Sequence, residues 1–153
     1  MPYALIMVRV RLESEEGLRQ RIHVLGEGNA ILNSDANPDF TFFADEPKAL
    51  GGGGTAPTSY EYLLGALGAC TSITLRMYAE RKGWPLKHVG IELSHEKREN
   101  DEGKKIDWIE KKISLQGELS DEQITRLKEI ADKCPVSRTL EASVRMQTSA
   151  LRV

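Results

Sequence analysis

The stretch Ala56-Pro-Thr-Ser-Tyr-Glu-Tyr-Leu-Leu-Gly-Ala-Leu-Gly-Ala-Cys70, continuing through Thr71-Ser-Ile-Thr-Leu-Arg-Met-Tyr-Ala-Glu-Arg-Lys-Gly83, decides the fold. Thr58 and Glu61 have the spacing of a capping box, in which each side chain bonds the other's backbone N–H, and an apolar run follows at once. A helix is therefore expected from Thr58. Its end is expected at Arg81, Lys82 and Gly83, where cations suit the negative helix terminus and glycine suits the left-handed cap. Leu63, Leu67, Cys70, Thr74 and Met77 recur at alternating steps of four and three, which predicts Cys70 in the middle of an apolar face.

Upstream, Val8, Val10 and Leu12 alternate with Arg9 and Arg11 within the segment from Tyr3 to Leu12. Leu18, Ile22 and Val24 alternate similarly after a turn at Ser14-Glu-Glu-Gly17, so an N-terminal β-hairpin is expected. A third extended stretch, Asp39 to Ala44, follows the turn-rich Asn33 to Pro38 and precedes a long loop from Asp45 to Pro57. Gly51 to Gly54 within that loop exclude a strand or helix interior, because ordering so many glycines costs too much entropy.

Downstream, Val89, Ile91 and Leu93 mark one strand and Ile113 and Leu115 its partner, separated by the charged turn Lys97 to Lys105. The inward parity changes between Trp108 and Ile109, which predicts a bulge. Ser120 and Gln123 form a second capping box, opening a helix that buries Ile124, Leu127 and Ala131 and stops at Pro135. A short helical turn from Pro135 to Leu140 leads to a last strand with Ala142, Val144, Met146 and Thr148 on one face. Strands and helices are segregated, so the expected class is α+β, in one domain spanning residues 1–153.

Composition narrows the functions. Of 153 residues, 40% are hydrophobic and 29% charged, with a net charge of -2, so no positive field exists for a nucleic acid. The longest uncharged stretch that reads as helical, Tyr62 to Leu75, is well short of the roughly 20 apolar residues of a membrane span. Arg9 and Arg11 interrupt the N-terminus too early for a signal peptide, and a cytoplasmic location is expected.

The two cysteines are the residues with chemistry to offer. Cys70, on an apolar helix face and roughly 18 Å from the positive helix end, requires a cation from another element to ionise. Cys134 precedes Pro135 and is expected to cap the short helix, where free N–H groups favour a sulfur anion. The residues alone leave two readings open, a reactive dithiol and two buried core cysteines. Neither a zinc site nor a thioredoxin motif fits: no close cysteine pair exists, and His88 and His95 are expected to face opposite sides of one strand. The glycine run lacks the Gly-Lys-Ser/Thr of a phosphate-binding loop. No cofactor and no metal are expected.

Residues 56–70 and the later Cys134-Pro-Val136 resemble the OsmC/Ohr family of bacterial peroxide-handling proteins, from about Ala44-Asp-Glu-Pro47 to the final strand. The resemblance implies an OsmC-like fold in which long central helices lie inside curved sheets of an intertwined homodimer. It also implies reduction of organic hydroperoxides in a stress response. Cys70 would attack the peroxide and become a sulfenic acid, Cys134 would capture it as a disulfide, and a small lipoyl-type dithiol would restore both thiols. One position departs from the peroxidase branch: Tyr60 stands where the family has an acidic residue that holds the thiolate-activating arginine. Glu61, one residue later, matches a broader branch, and its capping partnership with Thr58 is an equal reading. Arg19 and Arg21, two apart on the second strand, are the candidate activating arginines, and Arg138 could instead serve Cys134. The departure leaves an alternative, a non-peroxidatic protein that binds a small apolar or thiol-reactive ligand or partners a hydrolase.

Overall fold

The computed structural model describes residues 9–25, 40–142 and 144–152, so Tyr3 to Val8 of the first strand, the turn at 33–38 and Asp39 lie outside the described residues. The chain divides into two compact units, residues 1–62 and 63–153.

The first unit carries a three-stranded antiparallel sheet in the order β1 (Arg9–Ser14), β2 (Gln20–Leu25) and β3 (Thr41–Ala44). The expected hairpin is present, with Val10 opposite Val24 and Leu12 opposite Ile22. Alternation therefore puts the apolar residues on one face and Arg9, Arg11, Arg21 and His23 on the other. Beyond β3 the glycine-rich loop folds around a carboxylate that the sequence reading did not single out. Asp45 is buried and accepts hydrogen bonds from the backbone N–H groups of Glu46, Gly53 and Thr55 and from the Thr55 hydroxyl. Gly52 passes so close to Glu46 that a Cβ would sit 1.9 Å from the Glu46 carbonyl oxygen, so only glycine fits.

Helix α1 (Ser59–Lys82) opens on the expected capping box: Thr58 N–H donates to Glu61 at 2.7 Å and Glu61 N–H to the Thr58 hydroxyl at 3.3 Å. It closes on Gly83 in the left-handed region (φ 66°), with Trp84 N–H reaching back to the Ala79 carbonyl.

In the second unit α1 packs on a long hairpin, β4 (Leu86–Glu99) and β5 (Lys105–Gly117), and on α2 (Asp121–Ala131). The core joins Leu75 and Ala79 of α1 to Leu127, Ile130 and Ala131 of α2, with Trp84, Val89, Ile113 and Leu115 packed around them. The buried stripe of α1 is Leu67, Thr71, Leu75 and Ala79 at successive steps of four. This corrects the expected face: the stripe is rotated by one position, so Thr71 is central, Cys70 lies on its flank and Met77 is exposed. The three-four periodicity in the sequence straddled two neighbouring rows, and packing against α2 selected the row ending in Leu75 and Ala79.

Four further expectations change. No bulge interrupts Trp108 and Ile109, which pair regularly with Glu96 and His95; the irregularity falls between Leu86 and His88. Trp108 faces outward under the guanidinium of Arg98, 4.6 Å away, so its apolar surface is covered by a cation rather than by the core. The strands also run through Lys97 and Lys105, because Asn100 closes a short turn by accepting from Glu102 and Lys104 N–H. Helix α2 has the Ser120–Gln123 capping box and buries Leu127 and Ala131, but Ile124, one turn earlier, lies outside the core cluster and is exposed. Residues 144–152 form no strand: their alternation describes a two-faced extended segment, but none of the described strands pairs with them, and Met146 and Leu151 are exposed.

Two measurements check this packing. Leu75→Ala, at a fully buried side chain, is expected to cost about 2–5 kcal/mol in denaturant unfolding. The hydrogen bonds to Asp45 hold its carboxyl at about 2, below its ordinary 3.8, the backbone N–H and hydroxyl of Thr55 contributing most. A lowered folded value contributes stability above the unfolded value that is lost as the pH falls through the folded one. The advantage in melting temperature of the native chain over Asp45→Asn is therefore expected to be full at neutral pH and to shrink between about pH 4 and pH 2.

Candidate functional site

The residue before a proline is pushed to extended backbone, and Cys134 adopts φ -64° and ψ 146° directly after α2. Pro135 then starts α3 (Pro135–Glu141), and Cys134 is its N-cap. This matches the expectation for both the short helix and its capping residue. The Cys134 sulfur accepts from Ser137 N–H at 3.3 Å and lies 3.2 Å from the Ser137 hydroxyl. From α1 the Thr71 hydroxyl approaches it to 3.4 Å while also donating to the Leu67 carbonyl at 2.8 Å. Cys134 is 0% exposed.

Cys70, one residue before Thr71, is half-buried and unlinked to Cys134. Its sulfur is close enough to Cys134 and to Val136 N–H for both to act on its ionisation, while the Thr74 hydroxyl donates to the Cys70 carbonyl at 2.8 Å. In the first turn of α3 the Ser137 N–H thus donates to Cys134, and the Val136 N–H before it favours the anion of Cys70. The spacing of the cysteines in sequence carried no sign of this meeting, because α2 and the whole β4–β5 hairpin lie between them.

The environments push the two thiols apart. Burial raises Cys70, the Val136 N–H opposes it, and the neighbouring Cys134 charge raises it again; the net direction is upward. Burial also acts to raise Cys134, but the Ser137 and Thr71 hydroxyls, the Ser137 N–H and the Cys70 thiol together outweigh it, and the net direction is downward. The pair therefore holds one negative charge most readily with the proton on Cys70 and the charge on Cys134.

A residue missed by the sequence reading backs this site. Ile109, Lys111, Ile113 and Leu115 share one face of β5, so Lys111 points inward among apolar neighbours. Its ammonium donates to the Ser137 hydroxyl oxygen at 3.1 Å and the Ala131 carbonyl at 3.2 Å, and pairs with Asp132 at 3.2 Å. The available signal was the row itself: a lysine at an inward position of a strand needs partners at its tip. Arg138 is exposed, and the polar partners of the Cys134 sulfur are Ser137 and Thr71 in its place. Beside α1, Leu64, Gly65, Gly68, Ala69 and Ser72 face Val89, Ile91 and Leu93 across an open cleft of about 370 Å³.

In the first unit the candidate arginines are held by a turn carboxylate. Glu15 accepts from Arg19 at 2.8 Å and from Arg21 at 2.7 Å, and Arg19 also donates to the Thr55 hydroxyl and stacks 4.1 Å from the Phe43 ring centre. The Arg21 hydrogen bond leads in holding the Glu15 carboxyl below its ordinary value, followed, against burial, by Arg19. Tyr60 is exposed, and Glu61 is occupied by Thr58, whose N–H lowers its carboxyl. Among the described residues no three His, Cys, Asp or Glu side chains converge as a metal site, and no helix is long and apolar enough to cross a membrane.

Solved structures of similar fold fit this arrangement. An osmotic stress induced and detoxification response protein of Psychrobacter arcticus superposes with a TM-score of 0.66 at 17% identity over 90% of each chain. The organic hydroperoxide resistance protein OsmC of Legionella pneumophila gives 0.64 at 17% identity, again over 90% of each chain. The organic hydroperoxide resistance protein OhrB of Bacillus subtilis gives 0.57 at 18% identity over 89% of this chain and 91% of its own. At these identities the likeness is one of fold. No curated protein matches the chain. The family model for OsmC-like proteins matches residues 51–149, a span that holds both cysteines and all of α1, the hairpin, α2 and α3, and the chain therefore belongs to the OsmC family.

Proposed function

We propose that this protein reduces organic hydroperoxides through Cys70 and Cys134. The observation that carries the reading is the neighbouring sulfur pair, one member half-buried with its thiol pushed up and the other sealed with its thiol pushed down. A fully buried Cys134 cannot meet a bulky peroxide, so attack falls to Cys70. With the charge on Cys134, the Cys70 proton passes to that neighbouring thiolate, which makes Cys70 the nucleophile without adding a second charge. Cys70 attacks the outer peroxide oxygen, the O–O bond breaks, and the alkoxide leaves as an alcohol with the proton now on Cys134. Cys134, again a thiolate, attacks the Cys70 sulfenic acid and expels hydroxide. The result is a disulfide, an alcohol and hydroxide from one peroxide, and a small dithiol reductant of lipoyl type returns the pair to thiols.

The cleft beside α1 offers an apolar wall for the alkyl part of such a substrate. Arg19 and Arg21 are assigned the supporting role of a cation, with Glu15 doing the holding that an acidic residue at position 60 would do. Glu61 is assigned to helix capping. We further assign the chain to a cytoplasmic, intertwined homodimer, which accounts for Val10, Leu12, Ile73 and Met77 being exposed in a single chain. The raised Cys70 thiol favours a second reading, in which the cleft holds a small apolar ligand and Cys70 is not turned over.

Mass spectrometry after stoichiometric cumene hydroperoxide separates the two. The proposal expects an intramolecular Cys70–Cys134 disulfide, a sulfenic acid on Cys70 in Cys134→Ser, and loss of turnover in Cys70→Ser. An unmodified native chain under these conditions overturns it in favour of ligand binding. Thiol alkylation against pH is also expected to place ionisation of Cys134 (in Cys70→Ser) below that of Cys70 (in Cys134→Ser), following the directions set by their surroundings.

A further inference from the structure

Lys111 stands behind the sulfur pair, and none of the steps above uses it. It comes from β5, its side chain is only 15% exposed, and its ammonium is fully engaged by the Ser137 hydroxyl, the Ala131 carbonyl and the Asp132 carboxylate. An ammonium has three protons and no lone pair, so at Ser137 it can only donate. Ser137 is 4% exposed and its hydroxyl has one proton. The Cys134 thiol donates to the same oxygen at 3.2 Å; once that sulfur is a thiolate it has no proton to give, and with Lys111 donating to the oxygen the Ser137 proton is free to turn to it.

We propose that Lys111 is a positioning residue which, acting through the Ser137 hydroxyl, favours the thiolate form of Cys134. Lys111 touches neither sulfur: it orients and polarises the hydroxyl that donates to one of them. A hydrogen bond whose donor is polarised by a cation, away from water, is stronger than a neutral one. The other charged or titratable groups around Cys134 are accounted for. Cys70 on α1 is its hydrogen-bond partner, Asp132 after α2 is taken up by Lys111, and Lys133 and Arg138 are exposed. Lys111 thereby supplies, one hydroxyl removed, the cation that an ionised buried sulfur requires. The directions of the two thiols agree with this arrangement.

The inference rests on the peroxide reading for its relevance to turnover, but its test does not. Cys70→Ser leaves Cys134 as the only cysteine, with a hydroxyl still beside it, so the ultraviolet absorbance of the thiolate reports Cys134 alone as the pH is varied. In that background Lys111→Met is expected to raise the midpoint by about one pH unit or more, Ser137→Ala to raise it similarly, and Lys111→Arg to retain most of the native value. Combining Lys111→Met with Ser137→Ala should add little to Ser137→Ala alone, because the effect passes through that hydroxyl. An unchanged midpoint in Lys111→Met, or an equal shift whether or not Ser137 is present, overturns the proposal. Loss of the Ala131 and Asp132 contacts could unfold Lys111→Met. The Ser137→Ala and Lys111→Arg pair then decides alone: an unmoved midpoint in Ser137→Ala, or a Lys111→Arg midpoint raised as far as that of Ser137→Ala, also overturns it. Failure of peroxide turnover in the native chain leaves all these midpoints as they are.

Discussion

The approach of Thr71 to the Cys134 sulfur is the contact on which the rest of the second unit turns. Thr71 occupies the centre of the buried stripe of α1, and Cys134 caps α3 immediately after α2, so this one polar contact joins the long helix to the C-terminal helices within an otherwise apolar seam. Burying a sulfur and two hydroxyls there is costly unless each finds a partner. Each does: Thr71 bonds the Leu67 carbonyl, Ser137 bonds Lys111, and the sulfur accepts from Ser137 N–H with the Ser137 and Thr71 hydroxyls beside it. The polar cluster thereby fixes the rotation of α1, and that rotation in turn sets how far Cys70, one residue away, is open to solvent.

Two cysteines in nearly the same place consequently have unlike chemistry. Cys134 gains the Ser137 N–H, two hydroxyls and the Cys70 thiol, whereas Cys70 must offer its own proton to its neighbour. Exposure runs the opposite way, with the more readily ionised sulfur sealed and the other half-buried. On the proposed reading this division has a use. A permanently exposed thiolate would meet every oxidant and alkylating agent in the medium, whereas a charge kept on the buried sulfur is transferred only when a proton moves from Cys70 to its neighbour.

Much of this was legible in the sequence where the signals are local. Both capping boxes, the glycine end of α1, the extended Cys134 before Pro135 and the strand pairs follow from short-range backbone chemistry and appear where expected. The errors have a common cause in choices that packing makes between near-equal alternatives. Two adjacent rows of α1 are both apolar enough to be buried, and contact with α2 decides for the row containing Thr71. Trp108 reads as core until Arg98 covers it from the opposite strand. Residues 144–152 have a strand's alternation but no ladder among the described strands. At the site, the meeting of Cys70 with Cys134 and the reach of Lys111 to Ser137 are long-range, and no spacing in the chain encodes them.

The raised thiol of Cys70 is the feature that sits least easily with a peroxide-attacking role, and the geometry offers a reason why it is not prohibitive. Ionising Cys70 while Cys134 stays charged would place two anions in one half-buried site, with like-charge repulsion added to desolvation. Exchanging the proton keeps a single charge in the same pocket and only moves it from one sulfur to the other. The cost is then the difference between the two thiols, about 1.4 kcal/mol for each pKa unit separating them, rather than the full cost of a second buried charge. Val136 N–H already acts on Cys70 in the direction that favours that charge. A modest bias toward Cys134 thus stores the nucleophile in a protected form, and the size of that bias decides how much of the barrier to attack the storage adds.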